Sequence, residues 1–156
     1  MLARVPFVIS EVGINANGSM EDAVKLMRMA KECGSDSVKF QKRTIDLVYT
    51  KEFLDSPRES PWGTTQRHQK EGLEFSEVQY DEIDSWSKAI GIPWFASAFD
   101  IVSFDFLKKY RLPYNKIASA MVTHIPFVNE VAKEGKYTFI STGGCEITEI
   151  DDVVRI

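Results

Sequence analysis

Val8-Ile9-Ser10-Glu11-Val12-Gly13-Ile14-Asn15-Ala16-Asn17-Gly18-Ser19 is an apolar run that carries one carboxylate and then breaks into glycines and asparagines. Val8, Ile9, Val12 and Ile14 suit a strand covered on both faces, while Gly13, Asn15, Asn17 and Gly18 supply the permissive backbone of a turn. Glu11 therefore stands at the carboxyl end of a buried strand. Ligands bind at that end in parallel α/β folds, so position alone makes Glu11 a candidate for chemistry.

Two periodicities alternate beyond this stretch. Ser19 suits an N-cap, with Glu21 and Asp22 in the first turn and Ala23, Leu26, Met27 and Ala30 at helical spacing, and Gly34 ends that helix. Ser37-Val38-Lys39-Phe40-Gln41 is a second strand. Residues 42–75 form a polar stretch with Pro57, Pro61, Gly63 and Gly72, which we expect to be a long loop on the active-site side. Ser76 and Gln79 mark a capping box for a helix through Ile83 and Trp86 that Gly91 closes. Trp94-Phe95-Ala96-Ser97, Tyr114-Asn115-Lys116-Ile117-Ala118-Ser119 and Tyr137-Thr138-Phe139-Ile140-Ser141 are three further strands, each followed by a helical pattern.

Alternation of this kind predicts α/β architecture with a parallel sheet and crossover helices in a single domain, residues 1–156. No Gly-x-Gly-x-x-Gly follows the first strand, which argues against a dinucleotide-binding domain. A TIM-barrel type (β/α)8 fold fits better; it typically takes about 250 residues, so five β/α units would make a partial barrel. An open flavodoxin-like sheet of five strands is the competing architecture. Net charge of −4 gives no reason to expect nucleic acid or an anionic membrane as partner. Cys33 and Cys145 have no metal or redox spacing, and we expect a cytoplasmic protein.

Each strand ends in groups that burial would not select: Glu11, then Lys39 and Gln41, Ser97, Lys116 with Ser119, and Ser141 with Thr142. Converging on one face, two ammonium groups with hydroxyls and the Thr142-Gly143-Gly144 turn would make a phosphate or carboxylate pocket. Any one of the hydroxyls alone is equally well a solvated strand end or a cap. The lysines, flanked by Val38, Phe40 and Ile117, are harder to explain that way, because an unpaired buried ammonium is costly.

Glu11-Val12-Gly13-Ile14-Asn15 with Asn17-Gly18, Val38-Lys39-Phe40-Gln41-Lys42, Tyr114-Asn115-Lys116-Ile117-Ala118-Ser119 and Ile140-Ser141-Thr142-Gly143 together resemble the sialic acid synthase (N-acetylneuraminate synthase) family, in its order and roughly its spacing. The resemblance implies a (β/α)8 barrel transferase that condenses phosphoenolpyruvate with an N-acylated amino sugar aldehyde, typically N-acetylmannosamine, to a nine-carbon 2-keto sugar acid and phosphate. It implies a divalent metal, Mn or Mg, as Lewis acid on the aldehyde, and a homodimer in the full-length form. By the same resemblance Glu11 is the catalytic glutamate, Lys39 and Lys116 hold phosphoenolpyruvate, and Ser119 and Ser141 surround its phosphate or carboxylate. Ser97 occupies the corresponding end of the third strand, and Gln41 is adjacent to the pocket.

Two departures bear on the acceptor sugar: Ala16 stands where many members have His, and Ala120-Met121 where they commonly have Gly-Glu. They put N-acetylmannosamine itself in question and favour a relative such as a diamino sugar precursor equally. Family members hold the metal with two histidines from later strands and carry a C-terminal antifreeze-like domain. His68 and His124 match neither histidine, so no metal ligand is expected in this chain, which resembles the amino-terminal part of a synthase and is expected to be inactive alone. Two other classes remain open: a Schiff-base aldolase with Lys39 or Lys116 as the amine, and a non-enzymatic anion-binding module. Trp62, near Arg58 and Arg67, is a candidate for stacking on a sugar, Arg43 for reaching an anionic ligand unless it is simply solvent-exposed, and Cys145 is ordinary.

Overall fold

The computed structural model describes residues 6–156. Five parallel strands form one curled sheet: β1 (Ile9–Glu11), β2 (Ser37–Lys42), β5 (Trp94–Ala98), β6 (Asn115–Ile117) and β7 (Thr138–Ile140), in that spatial order. Neighbours in the sheet follow chain order once a separate two-stranded hairpin, β3 (Pro57–Ser60) with β4 (Gly63–Thr65), is set aside. The first strand lies at an edge, which overturns the open flavodoxin-like alternative and makes the sheet a half-barrel.

Helices cover one face of that sheet. Ser19 caps α1 (Met20–Glu32) by accepting from Asp22 N–H, and Ser76 and Gln79 close a reciprocal capping box on α5 (Glu77–Ile90). Asp100 caps α6 (Ile101–Lys108), and the His124 ring caps α7 (Ile125–Ala132). α8 spans Ile147–Val154. Because strand side chains alternate faces, Val38, Phe40, Trp94 and Ile117 pack outward with Met27, Ile83, Phe104 and Phe127 into one continuous core. Opposite faces of the same strands are divided along their length. The amino-terminal half carries aromatic rings: Phe95 and Phe139 stack with centroids 5.7 Å apart, and Tyr114 meets each of them edge-to-face at 5.6 Å. Beyond them, toward the carboxyl ends, come the charged residues.

Three expectations change. The opening strand ends at Glu11, where the sequence places its carboxyl end, but Val12 and Ile14, read as strand residues, lie beyond it, because Gly13 with φ +27° starts a 3-10 turn over Gly13–Ala16. The fourth strand stops at Ile117, and Ser119 opens a second such turn over Ser119–Met121. Residues 42–75 are not a long loop: they hold α2 (Ile45–Val48), α3 (Lys51–Asp55), the β3–β4 hairpin and α4 (Gln66–Leu73). The breakers there mark boundaries between short elements. Thr50 and Thr65 cap the helices that follow them, and Pro61-Trp62 form the hairpin turn between Ser60 and Gly63. Leu54 and Phe75 are buried from the same segment.

Candidate active site

Parallel register brings the strand-end residues together. Glu11 pairs with Lys39 across β1 and β2, and Ser97 with Lys116 across β5 and β6. Lys39 Nζ lies 2.9 Å from Glu11 Oε2 and donates to Ser97 Oγ at 3.2 Å. Lys116 Nζ donates to Ser141 Oγ at 2.6 Å and to the Ile117 carbonyl at 2.7 Å. Each strand of the sheet, or for β7 the residue just past it, thus contributes one member to a row running Glu11, Lys39, Ser97, Lys116, Ser141.

The row is short of negative charge. Lys39 is only 6% exposed, and its one carboxylate neighbour, Glu11, has a side chain 55% exposed. Burial, reinforced by the Lys39 ammonium, pushes Lys116 down to about 8, with Glu11 acting in the opposite sense. Two buried or half-buried ammonium groups sharing one solvated carboxylate favour a multiply charged anion between them. Affinity for sulfate, whose own charge is constant in this range, should accordingly fall as pH rises through about 8 and Lys116 deprotonates. Folding stability should move the other way. The unfolded chain binds the extra proton between the lowered value and 10.5, so this group's contribution rises with pH in that window. Calorimetric titration and thermal melts across the window check both signs.

Gln41 lies on the same strand face as Lys39, two residues on, and its amide meets Gly13, where a Cβ would approach Gln41 Nε2 to 3.2 Å. Ser119 sits in its 3-10 turn outside the row, and its carbonyl lies 3.8 Å from the Cys145 thiol. Arg43 is not solvent-exposed: it is 8% exposed, paired with Glu74 and stacked 5.0 Å from the Phe99 ring centroid. Trp62 is partly open, with its ring laid over Gly72. Ala16 is fully buried, whereas Met121 lines a groove of about 550 Å³ with Leu47, Phe99, Val102 and His124.

Sequence reasoning missed Glu74. It is tied to Arg43 and Lys42, and burial raises its carboxyl against the pull of those two cations. Its signal, an acid directly after a helix and before Phe75, is too common to stand out. A divalent ion implied by the resemblance finds no fit here. His124 Nδ1 accepts from Phe127 N–H, His68 Nδ1 lies 3.0 Å from Thr65 Oγ1, and the described residues hold no group of three or more His, Cys, Asp or Glu placed for ligation.

The NeuB family model matches residues 26–156. N-acetylneuraminate-9-phosphate synthase of Mus musculus is 35% identical over 152 residues, covering 96% of this chain and 42% of that protein. N,N'-diacetyllegionaminic acid synthase of Legionella pneumophila is 32% identical over 147 residues, covering 92% of this chain and 41% of that protein. The chain thus spans about two fifths of the length of these relatives. The crystal structure of N-acetylneuraminic acid synthetase from Leptospira borgpetersenii superposes with a TM-score of 0.82 over 99% of this chain and 53% of that one; at 21% identity it establishes the shared fold. A match over most of the sequence, on a half-barrel whose fold recurs in a synthetase, places the chain in the NeuB family.

Proposed function

We propose that the chain supplies the phosphoenolpyruvate-binding side of a sialic-type acid synthase. The carrying observation is the row of Lys39, Ser97, Lys116 and Ser141 with Glu11 at its end, a cationic, hydroxyl-bearing row whose charge suits a phosphate ester bearing a carboxylate. In the proposed reaction C3 of phosphoenolpyruvate bonds to the aldehyde carbon of an N-acylated amino sugar, whose oxygen takes up a proton. Water then adds at C2, and phosphate leaves as C2 becomes the ketone. Lys39 and Lys116 neutralise the anion, the hydroxyls orient it, and Glu11 receives the proton of the attacking water.

Glu11 meanwhile occupies Lys39, so it also competes with the incoming anion. Glu11→Gln should lower turnover by about 10² or more, the usual worth of a general base, while phosphoenolpyruvate affinity holds or rises. An unchanged rate removes Glu11 from the mechanism. The groove beside Met121 is lined mainly by apolar side chains, and its Asp100 carboxylate already accepts from Thr44 and Ser103, which supports an acceptor more apolar than N-acetylmannosamine, such as a diacylated diamino sugar. Phosphate release from phosphoenolpyruvate by the full-length protein, assayed with both acceptors and Mn or Mg, tests the reading; no release with either defeats it. We place the enzyme in the cytoplasm as a homodimer and expect the 156-residue polypeptide to be inactive alone, so metal-dependent phosphate release by it would refute that part.

A further inference from the structure

Asn17 is the one asparagine of the sequence that precedes a glycine, and the fold requires both residues where they stand. Asn17 takes φ +49° and ψ +37°, a left-handed conformation that asparagine tolerates better than most side chains. Gly18 follows at φ +67° with its α-carbon against the Gly72 carbonyl, where a Cβ would come within 2.0 Å of the oxygen. The same pair is open to reaction with itself. With no side chain on Gly18, nothing shields its backbone nitrogen from the Asn17 amide carbon. Asn17 is exposed, and the Gly18 N–H donates to no backbone carbonyl among the described residues.

These groups define the reaction. The Gly18 nitrogen bonds to the Asn17 side-chain carbon, its proton passes through water to the leaving amide nitrogen, and ammonia departs as a five-membered imide closes. Water then opens either imide carbonyl, leaving aspartate or isoaspartate at position 17. In the closed turn the first bond cannot form. Cβ is offset from the backbone nitrogen by about 120° around the Cα–C bond of a tetrahedral carbon. At ψ +37° it therefore stands nearly opposite the Gly18 nitrogen, whereas the imide needs the two nearly eclipsed. Several contacts hold that geometry: Asn17 N–H donates to the Ile14 carbonyl at 3.0 Å, Ser19 N–H donates to Ala16 at 2.8 Å, and Gly72, backed by the Trp62 ring, blocks Gly18.

We propose that Asn17 and Gly18 form a self-modification site kept latent by the fold: opening of the turn over residues 13–18 lets the imide form, and the isoaspartate product cannot close the turn again. Isoaspartate routes the main chain through the side-chain carbon of residue 17 and so lengthens the backbone by one carbon. Between the fully buried Ala16 and the Gly72 carbonyl there is no space for it. The turn that would be lost also fixes Glu11, because Asn15 donates its side-chain amide to the Glu11 carbonyl at 2.9 Å and its backbone N–H to the Val12 carbonyl at 2.8 Å. Aspartate leaves the main chain unaltered and puts a carboxylate ahead of the N-terminus of α1, where the helix dipole favours it. One product is therefore benign and the other disables a strand end. The consequence for catalysis rests on the synthase reading, whereas the modification and its guard do not.

Peptide mapping by mass spectrometry, on the full-length protein held in mildly alkaline buffer, reads the modification directly. Conversion at Asn17 should run at least about 10-fold slower in the folded protein than in urea, because it waits on local opening. Equal rates overturn the guard. Asn15, followed by Ala16, is the internal control and should stay intact; conversion there as fast as at Asn17 overturns the assignment to the Asn-Gly pair. The isoaspartate fraction, separated chromatographically, should melt below the wild type and lose at least about 10-fold in turnover, as expected when a catalytic group is misplaced. Asn17→Asp should keep both properties. An isoaspartate fraction that melts and turns over like the wild type overturns the proposal. Absence of any acceptor-dependent phosphate release in the wild type would instead defeat the synthase reading, and the conversion rates and melts would still decide the role of the turn.

Discussion

Gly18→Ala should cost about 3 kcal/mol or more of stability, lowering the thermal midpoint by roughly 10 °C. Two independent terms add there. Gly18 has φ +67°, a left-handed conformation that costs an alanine about 1–2 kcal/mol. Its Cβ would also lie 2.0 Å from the backbone carbonyl oxygen of Gly72, and no side-chain rotation can relieve a collision with backbone. Gly72 cannot retreat, because the ring of Trp62 lies on its other side, within 2.2 Å of where a Cβ would stand. Gly91→Ala is the control: φ is similar at +73°, but nothing lies within 4 Å, so only the conformational cost of about 1–2 kcal/mol should appear. Thermal melts of both variants check the difference. Equal losses would mean that the close approach of the two backbones contributes nothing.

The Gly18–Gly72–Trp62 stack also shows what the sequence could and could not carry. Strand positions came through because a parallel strand buried on both faces writes its own signal, as Val38 to Phe40 and Trp94 to Ser97 do, and because helix caps such as Ser19 and Ser76 are local chemistry. Lys39 and Lys116 were readable for a related reason: a charge inside an apolar run has few bland explanations. Residues 42–75 were not readable. Their helices of four to eight residues are too short to show a periodicity, and what holds them is non-local: Glu74 against Arg43, Trp62 over Gly72, Gly72 against Gly18. Arg43 sits beside polar residues and gives no hint in the chain that it is buried. Ser119 belongs to an apparent strand whose last residues are drawn off into a turn, and strand ends are fixed by pairing with β7 rather than by their own side chains.

Lys39→Met/Lys116→Met should abolish anion binding at the strand ends, weakening phosphoenolpyruvate and inorganic phosphate by at least about 100-fold, since each charge-assisted contact contributes roughly 1.5–3 kcal/mol. Folding should survive. Lys39 is nearly buried and its replacement by a flexible apolar chain of similar length removes a desolvated charge, while the Glu11 carboxylate it leaves behind is half-exposed and can be rehydrated. Lys116→Met likewise removes an ammonium that burial already disfavours, so the variant should melt no lower than the wild type at neutral pH. The single variants separate the two lysines. Lys39→Met should lose affinity at every pH. Lys116→Met should lose it below about pH 8 and converge on the wild type above, where the wild-type lysine is itself neutral. Borohydride added with a keto acid distinguishes the remaining chemistry: a covalent adduct at Lys116 would show that its lowered proton affinity serves an amine nucleophile, whereas anion binding without adduct supports an electrostatic role. Calorimetric titration of all three folded variants with phosphoenolpyruvate decides the matter, and undiminished affinity in the double variant would remove the site from this face of the half-barrel.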